Sequence, residues 1–145
     1  MTAEENKIII LRTKNELFGV EALNIVELTR IVNFEPLEVD GEPIQGYLYY
    51  REETLPLIDA GFLLEFDHGP FDIDSKIAII KGDNSQSVGL LIDDLEDIIN
   101  QQDCELARVK PNKTQLYFIK YKNHLVPIIS PVEVCKMITH KLQIH

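Results

Sequence analysis

The chain has 145 residues, 45% hydrophobic and 26% charged, which suits one packed domain or two small halves sharing a core. Its 24 acidic and 14 basic residues leave a net charge of −10, which argues against a nucleic-acid partner because phosphates would repel this surface. No run approaches membrane-spanning length, the first residues carry no basic start or apolar signal core, and Cys104 and Cys135 stand in no metal or redox spacing. The expectation is a cytoplasmic protein with reduced thiols and no segment inserted in a membrane.

Residues 7–13 form a β-branched run, and Lys14-Asn15 reads as the turn into a second strand at 16–21, making an opening hairpin. At 22–28, Leu23, Val26 and Ile25 fall on one side at helical spacing, so a short helix is predicted. Residues 29–33 allow a return to strand. Pro36, Gly41 and Pro43 with four acids make 34–44 a loop. Two short strands follow over 46–59, joined at the charged turn Arg51-Glu52-Glu53, then a helical piece at 60–65 and a break at 67–70.

After that break the pattern recurs. Residues 76–80 echo 7–11, Asp83-Asn84 takes the turn, and Gly89 matches Gly19. A second short helix is predicted at 93–98, where Asp97 answers Glu27 and Ile98 answers Leu28. Residues 117–130 repeat the hairpin: setting Pro56 on Pro127 pairs Leu48 with Ile119, Tyr50 with Tyr121, Arg51 with Lys122 and Leu57 with Ile128. Two copies about 70 residues apart are too few and too long for a solenoid. Two related small β-barrels tied by crossing strands are the economical solution, because closure removes exposed sheet edges. The expected halves are 15–80 and 7–14 plus 81–130. A C-terminal helix over 131–143 starts with a capping box, Ser130 with Glu133, and Pro131 at its first position.

No catalytic constellation stands out. His68, His124, His140 and His145 lack ligand spacing, Cys135 lies in the apolar pattern of the last helix, and Cys104 has acidic neighbours that blunt reactivity. The cluster Asp93, Asp94, Glu96 and Asp97 is not spaced like an EF-hand loop and reads as a solvated helix face. No phosphate-cradling glycine loop is present. The reading is a binding protein, not an enzyme, with no cofactor and no metal. An acidic enzyme using the 93–97 cluster with a divalent ion is the competing class.

Ile25-Val26-Glu27-Leu28, followed by Gly46, Arg51, Leu55-Pro56-Leu57-Ile58 and Asp59 in a strand-turn-strand, resembles the signature of the CheW-like domain family. The family's second motif is matched by Val88-Gly89-Leu90-Leu91-Ile92-Asp93 and Ile98. The resemblance runs from about Lys7 to the final helix. It implies a mainly β fold of two intertwined five-stranded SH3-like barrels with short helices and a C-terminal helix. It implies an adaptor without enzymatic activity, coupling transmembrane chemoreceptors to a CheA-type histidine kinase. One surface would meet the kinase regulatory domain, and a groove between the barrels would take the receptor's cytoplasmic tip. Carried over by position, the receptor-side candidates are Ile25, Glu27 and Arg51. Glu52 stands where the family has glycine, so Glu52 and Glu53 add two negative charges beside the groove and act as modulators of partner choice. A diverged coupler that binds kinase or other couplers but not receptors, or one serving surface motility, is the alternative.

Overall fold

The computed structural model describes residues 6–30, 34–36, 44–64, 75–82 and 86–144. Twelve strands and two helices are laid out in these stretches: β1 (Lys7–Thr13), β2 (Glu16–Glu21), β3 (Ile25–Arg30), β4 (Phe34–Pro36), β5 (Ile44–Tyr50), β6 (Glu53–Asp59), α1 (Ala60–Leu64), β7 (Lys76–Lys81), β8 (Ser87–Ile92), β9 (Asp94–Asn100), β10 (Glu105–Ala107), β11 (Gln115–Tyr121), β12 (His124–Ile129) and α2 (Pro131–Ile144). One sheet runs β10-β11-β12-β2-β1-β9 and the other β3-β7-β8-β6-β5-β4. The architecture is mainly β in two sheets, as expected. Each sheet has six strands, one of them only three residues long, where five were expected per barrel.

The two orders are the same order. Replacing each strand of one sheet by the strand six places along the chain gives the other sheet. The opening hairpins are exchanged: β1-β2 joins the later strands β9–β12, while β7-β8 joins β3–β6. Sheet membership therefore changes at 22–24 and at Asp93, whereas the expected halves put β2 with residues 15–80 and β8 with 81–130. The exchange is made through parallel pairs, Ile128 beside Gly19 and Leu57 beside Gly89.

Three clusters of buried side chains fill this frame. Ile8, Ile10, Ile119, Val126 and Ile128 pack inside one sheet. Their repeat counterparts Ile77, Ile79, Leu48, Leu55 and Leu57 pack inside the other. Between them lies the largest cluster, which takes Leu11, Phe18 and Val20 from one sheet, Ile58, Ala78, Ile80 and Leu90 from the other, and Val134, Cys135 and Ile138 from α2. β7 is buried on both faces, Ile77 and Ile79 towards one cluster and Ala78 and Ile80 towards the other. That is why its sequence is continuously apolar and does not alternate.

Both predicted short helices are strands. Residues 22–24 form a single 3₁₀ turn, and β3 then pairs antiparallel with β7. Burial alternates along β3, and Leu23 and Val26 are exposed, where a helix face would have buried them. The β-branched Ile25, Val26 and Thr29 suit a pleated surface, and the free side of β7 supplies the ladder. β9 replaces the helix at 93–98 for the same reason: it pairs with β1 on the side opposite β2. The acidic cluster is thus spread along a strand and its entry. Within the loop expected at 34–44, Phe34–Pro36 form β4 and Ile44 begins β5. The predicted breaks at 67–70 and 83–84 lie outside the described residues.

α2 follows the expected start. The Ser130 hydroxyl accepts the Glu133 backbone N–H at 3.2 Å. The reciprocal half of the box is absent because the Ser130 N–H bonds the Thr114 carbonyl, and Glu133 faces Lys136 at 3.5 Å.

Candidate functional site

β5 and β6 pair with Tyr50 opposite Glu53, so the turn has two residues, Arg51 and Glu52, and Glu53 already belongs to the strand. Their φ values are 47° and 66°, the left-handed pair of a type I′ turn, whose twist matches that of the strands it joins. The same turn closes the second hairpin with Lys122 at 43° and Asn123 at 65°. The hairpin therefore forms without the glycine at Glu52.

The turn brings the aromatic arm against β3. The Tyr50 hydroxyl donates to Glu27 Oε2, Arg51 faces the same oxygen at 3.8 Å, and the guanidinium lies 5.0 Å from the centre of the Tyr50 ring. β3 and β5 are four strand positions apart in their sheet, about 19 Å if the sheet were flat. Contact across that span means that the sheet curls on itself, and Tyr50 with Glu27 staples the curl. The hydrogen bond to Glu27 raises the Tyr50 pKa, burial adds to the rise, and the Arg51 charge opposes it.

The second sheet repeats the device. Tyr121 donates to Asp97 Oδ2 at 2.7 Å, and the Lys122 ammonium sits 5.3 Å from the Tyr121 ring centre. The bond from Tyr121, with the Ile98 backbone N–H, holds the Asp97 carboxyl below the usual carboxylate range. Burial, then the bond to Asp97, pushes Tyr121 up. Glu27, Tyr50 and Arg51 thus answer Asp97, Tyr121 and Lys122. Tyr50 was not among the sequence candidates, although the repeat alignment already set it on Tyr121.

The candidates differ in how they are presented. Arg51 is 71% exposed and so is free to meet a partner, since an ion pair this wet contributes little. Glu27 is half-buried on the strand, not at a helix end. Ile25 is half-buried and packs against the central core cluster. The apolar side chains open to solvent beside Glu27 are Leu23 (58%), Val26 (39%) and Leu28 (37%). Glu27 pairs with Ile79 and Leu28 with Ala78, so Leu28 leaves β3 on the face away from Glu27, which a helical reading of 22–28 hides. Glu52 and Glu53 are exposed and make no ion pair among the described residues.

The acidic cluster is tied up in structure. Asp93 accepts the Lys14 N–H at 2.7 Å and faces Arg12 at 3.6 Å, while Glu96 faces Arg12 at 3.6 Å. Lys76 meets Asp94 at 2.6 Å and holds its carboxyl below the usual range. No group of three or more His, Cys, Asp and Glu placed to hold a metal occurs among the described residues. An open cleft of about 420 Å³ beside the second hairpin is lined by Lys7, Asp97, Asn100, Lys120 and Lys122 among others. Its Asp97 is engaged by Tyr121, and its Asp103 accepts from the Asn100 side chain at 3.3 Å. Burial pushes both Cys104 and Cys135 up, which blunts them as nucleophiles. No described helix is long and apolar enough to cross a membrane.

A family model for the CheW-like domain matches residues 7–136. Among solved structures, the chain is similar to the scaffolding protein TtCheW from Thermoanaerobacter tengcongensis, with a TM-score of 0.72 and 21% identity over 87% of this chain and 89% of that one. At that identity the likeness speaks for the fold. No curated protein matches the chain in direct sequence comparison. With the family model spanning most of the chain and the paired-sheet fold agreeing with it, the chain belongs to the CheW-like domain family.

Proposed function

We propose that this chain is a non-catalytic coupling adaptor of bacterial chemosensory signalling, joining chemoreceptors to a CheA-type histidine kinase on the cytoplasmic side of the membrane. Family membership supports the class of function, and one observation carries the site. Glu27 and Arg51, which match the family motif, lie 3.8 Å apart at the first hairpin turn, and Arg51 is mostly exposed.

On this reading the receptor tip meets the exposed Arg51. Stacking on Tyr50 already restrains Arg51, so less side-chain freedom is lost on binding. Ile25 acts from below by supporting β3, and Glu52 and Glu53 tune the choice of partner. The kinase regulatory domain docks elsewhere on the barrels. The test is a pull-down of the kinase regulatory domain and of a receptor cytoplasmic tip from the same organism, at tens of micromolar. Capture of both is expected, and capture of neither overturns the proposal.

A second reading is favoured by one residue. Glu52 occupies the family's glycine position, and a coupler that docks on kinase or fellow couplers while excluding receptors fits that change. Receptor binding gained on Glu52→Gly is its signature.

A further inference from the structure

We infer that Tyr50 is a positioning residue of the partner-binding site. Its hydroxyl takes one oxygen of Glu27 and its ring carries Arg51, which leaves the other oxygen of Glu27 to a hydrogen-bond donor of the partner. The inference deepens the coupling proposal and rests on it.

Tyr50 is anchored from below. It is half-buried, and its ring packs against the cluster of Leu48, Leu55, Leu57, Ile77 and Ile79. Glu27 lies opposite Ile79 in the β3–β7 ladder, so its side chain leaves β3 on the face of that same cluster. A tyrosine ring has few torsions to restrain, and one held by a core is a firm support for the groups it touches. Tyr50 touches both charged candidates. Its hydroxyl donates to Glu27 Oε2, and the Arg51 guanidinium lies 5.0 Å from its ring centre.

The second barrel supplies the contrast. Tyr121 donates to Asp97 Oδ2 at 2.7 Å, and the Ile98 backbone N–H donates to Oδ1 at 2.7 Å. Both oxygens of that carboxylate are therefore engaged within the fold, and the Lys122 charge adds to them. In the first barrel the Tyr50 hydroxyl and Arg51 converge on Oε2. No group among the described residues hydrogen-bonds Oε1, and the Glu27 side chain is 40% exposed. A carboxylate has room for about four hydrogen bonds, and those to its charged form are the strong ones. The same device is thus closed in one barrel and left open in the other. The open copy stands beside the exposed Arg51, so a partner segment that offers a donor to Glu27 and an acceptor to Arg51 meets two groups already held in place.

The experiment is calorimetric titration of the full chain with a purified chemoreceptor cytoplasmic tip from the same organism. The forms compared are wild type, Tyr50→Phe, Tyr121→Phe, Glu27→Ala, and Tyr50→Phe with Glu27→Ala, each with its thermal midpoint measured. Tyr50→Phe keeps the ring beside Arg51 and loses the bond to Glu27; it should weaken binding roughly 3- to 10-fold. Tyr121→Phe loses the matching bond of the other barrel, and should lower the midpoint to a similar degree while binding like wild type. In the Glu27→Ala background, Tyr50→Phe should weaken binding no further, because a residue that acts through Glu27 then has nothing to position. Wild-type affinity in Tyr50→Phe, an equal loss in Tyr121→Phe, or a full further loss in the double variant overturns the inference and leaves the coupling proposal standing. No binding by wild type overturns the receptor-coupling proposal, and the inference with it.

Discussion

Glu27 accepts the Tyr50 hydroxyl and faces Arg51 at 3.8 Å, and the two contacts differ in kind. Tyr50 is half-buried and bridges strands that are far apart in the sheet order, so its hydroxyl holds the curl in place. Arg51 is mostly exposed and adds little to stability. Tyr50→Phe should therefore lower unfolding stability by about 1 kcal/mol, a hydrogen bond to a carboxylate discounted for partial exposure. Arg51→Ala should change stability by less than about 0.5 kcal/mol and weaken partner binding. Denaturant titration of both variants, beside a binding assay, checks the division of roles; a large stability loss in Arg51→Ala would reassign Arg51 to the clamp.

Protonation adds a second residue-level test. The Asp97 carboxyl sits below its ordinary range because the folded chain bonds its charged form. Its contribution is whole above about pH 4, the unfolded value, and fades as pH falls through the lower folded value. Tyr117 is pushed up to about 12, chiefly by burial and then by Glu21. The folded chain then keeps a proton that the unfolded chain releases near pH 10, so stability declines from about pH 10 towards 12. Urea midpoints measured across both ranges should show Tyr121→Phe flattening the acid limb and Tyr117→Phe the alkaline one.

At the scale of elements, the exchanged hairpins depend on close approach at two glycines. A Cβ on Gly19 would lie 2.6 Å from Ile128 Cδ1, and one on Gly89 would lie 2.8 Å from Leu57 Cδ1 and 3.0 Å from Ile77 Cγ2. Both are the contact points of the parallel strand pairs. Gly89→Ala should cost about 1–3 kcal/mol by overpacking, read as a lower thermal midpoint. These glycines were legible in the sequence as a matched pair, and so were the strands around them. The segments at 22–28 and 93–98 were not. Leu23 and Val26 satisfy a helical period locally, and only the ladders offered by β7 and β1, about 50 and 90 residues away, turn those segments into strands. The candidate site inherited that error: Glu27 and Arg51 are legible by motif, whereas the place of Tyr50 against Glu27 follows only from the curled sheet.

Over the whole molecule, the repeat in the sequence announced two related units, and the central cluster shows why neither stands alone. Each sheet borrows its opening hairpin from the other half of the chain, and side chains of both sheets meet under α2. Which hairpin joins which sheet could not be read from the repeat, because the two copies are alike in pattern and pairing across them is equally allowed by either. Fragments cut between residues 65 and 74 should each be largely unfolded by circular dichroism and regain structure on mixing; a stably folded single half would contradict the exchange. The two hairpin tips on this interlocked body differ in sequence, with Arg51, Glu52 and Glu53 at one and Lys120 and Lys122 at the other. The coupling itself is tested most directly by sedimenting receptor-bearing membranes with the soluble kinase, with and without this protein. The account predicts that the kinase joins the membrane fraction only when the protein is present, and less so with Arg51→Ala. Kinase that remains soluble in its presence, or that sediments equally without it, would contradict the coupling role.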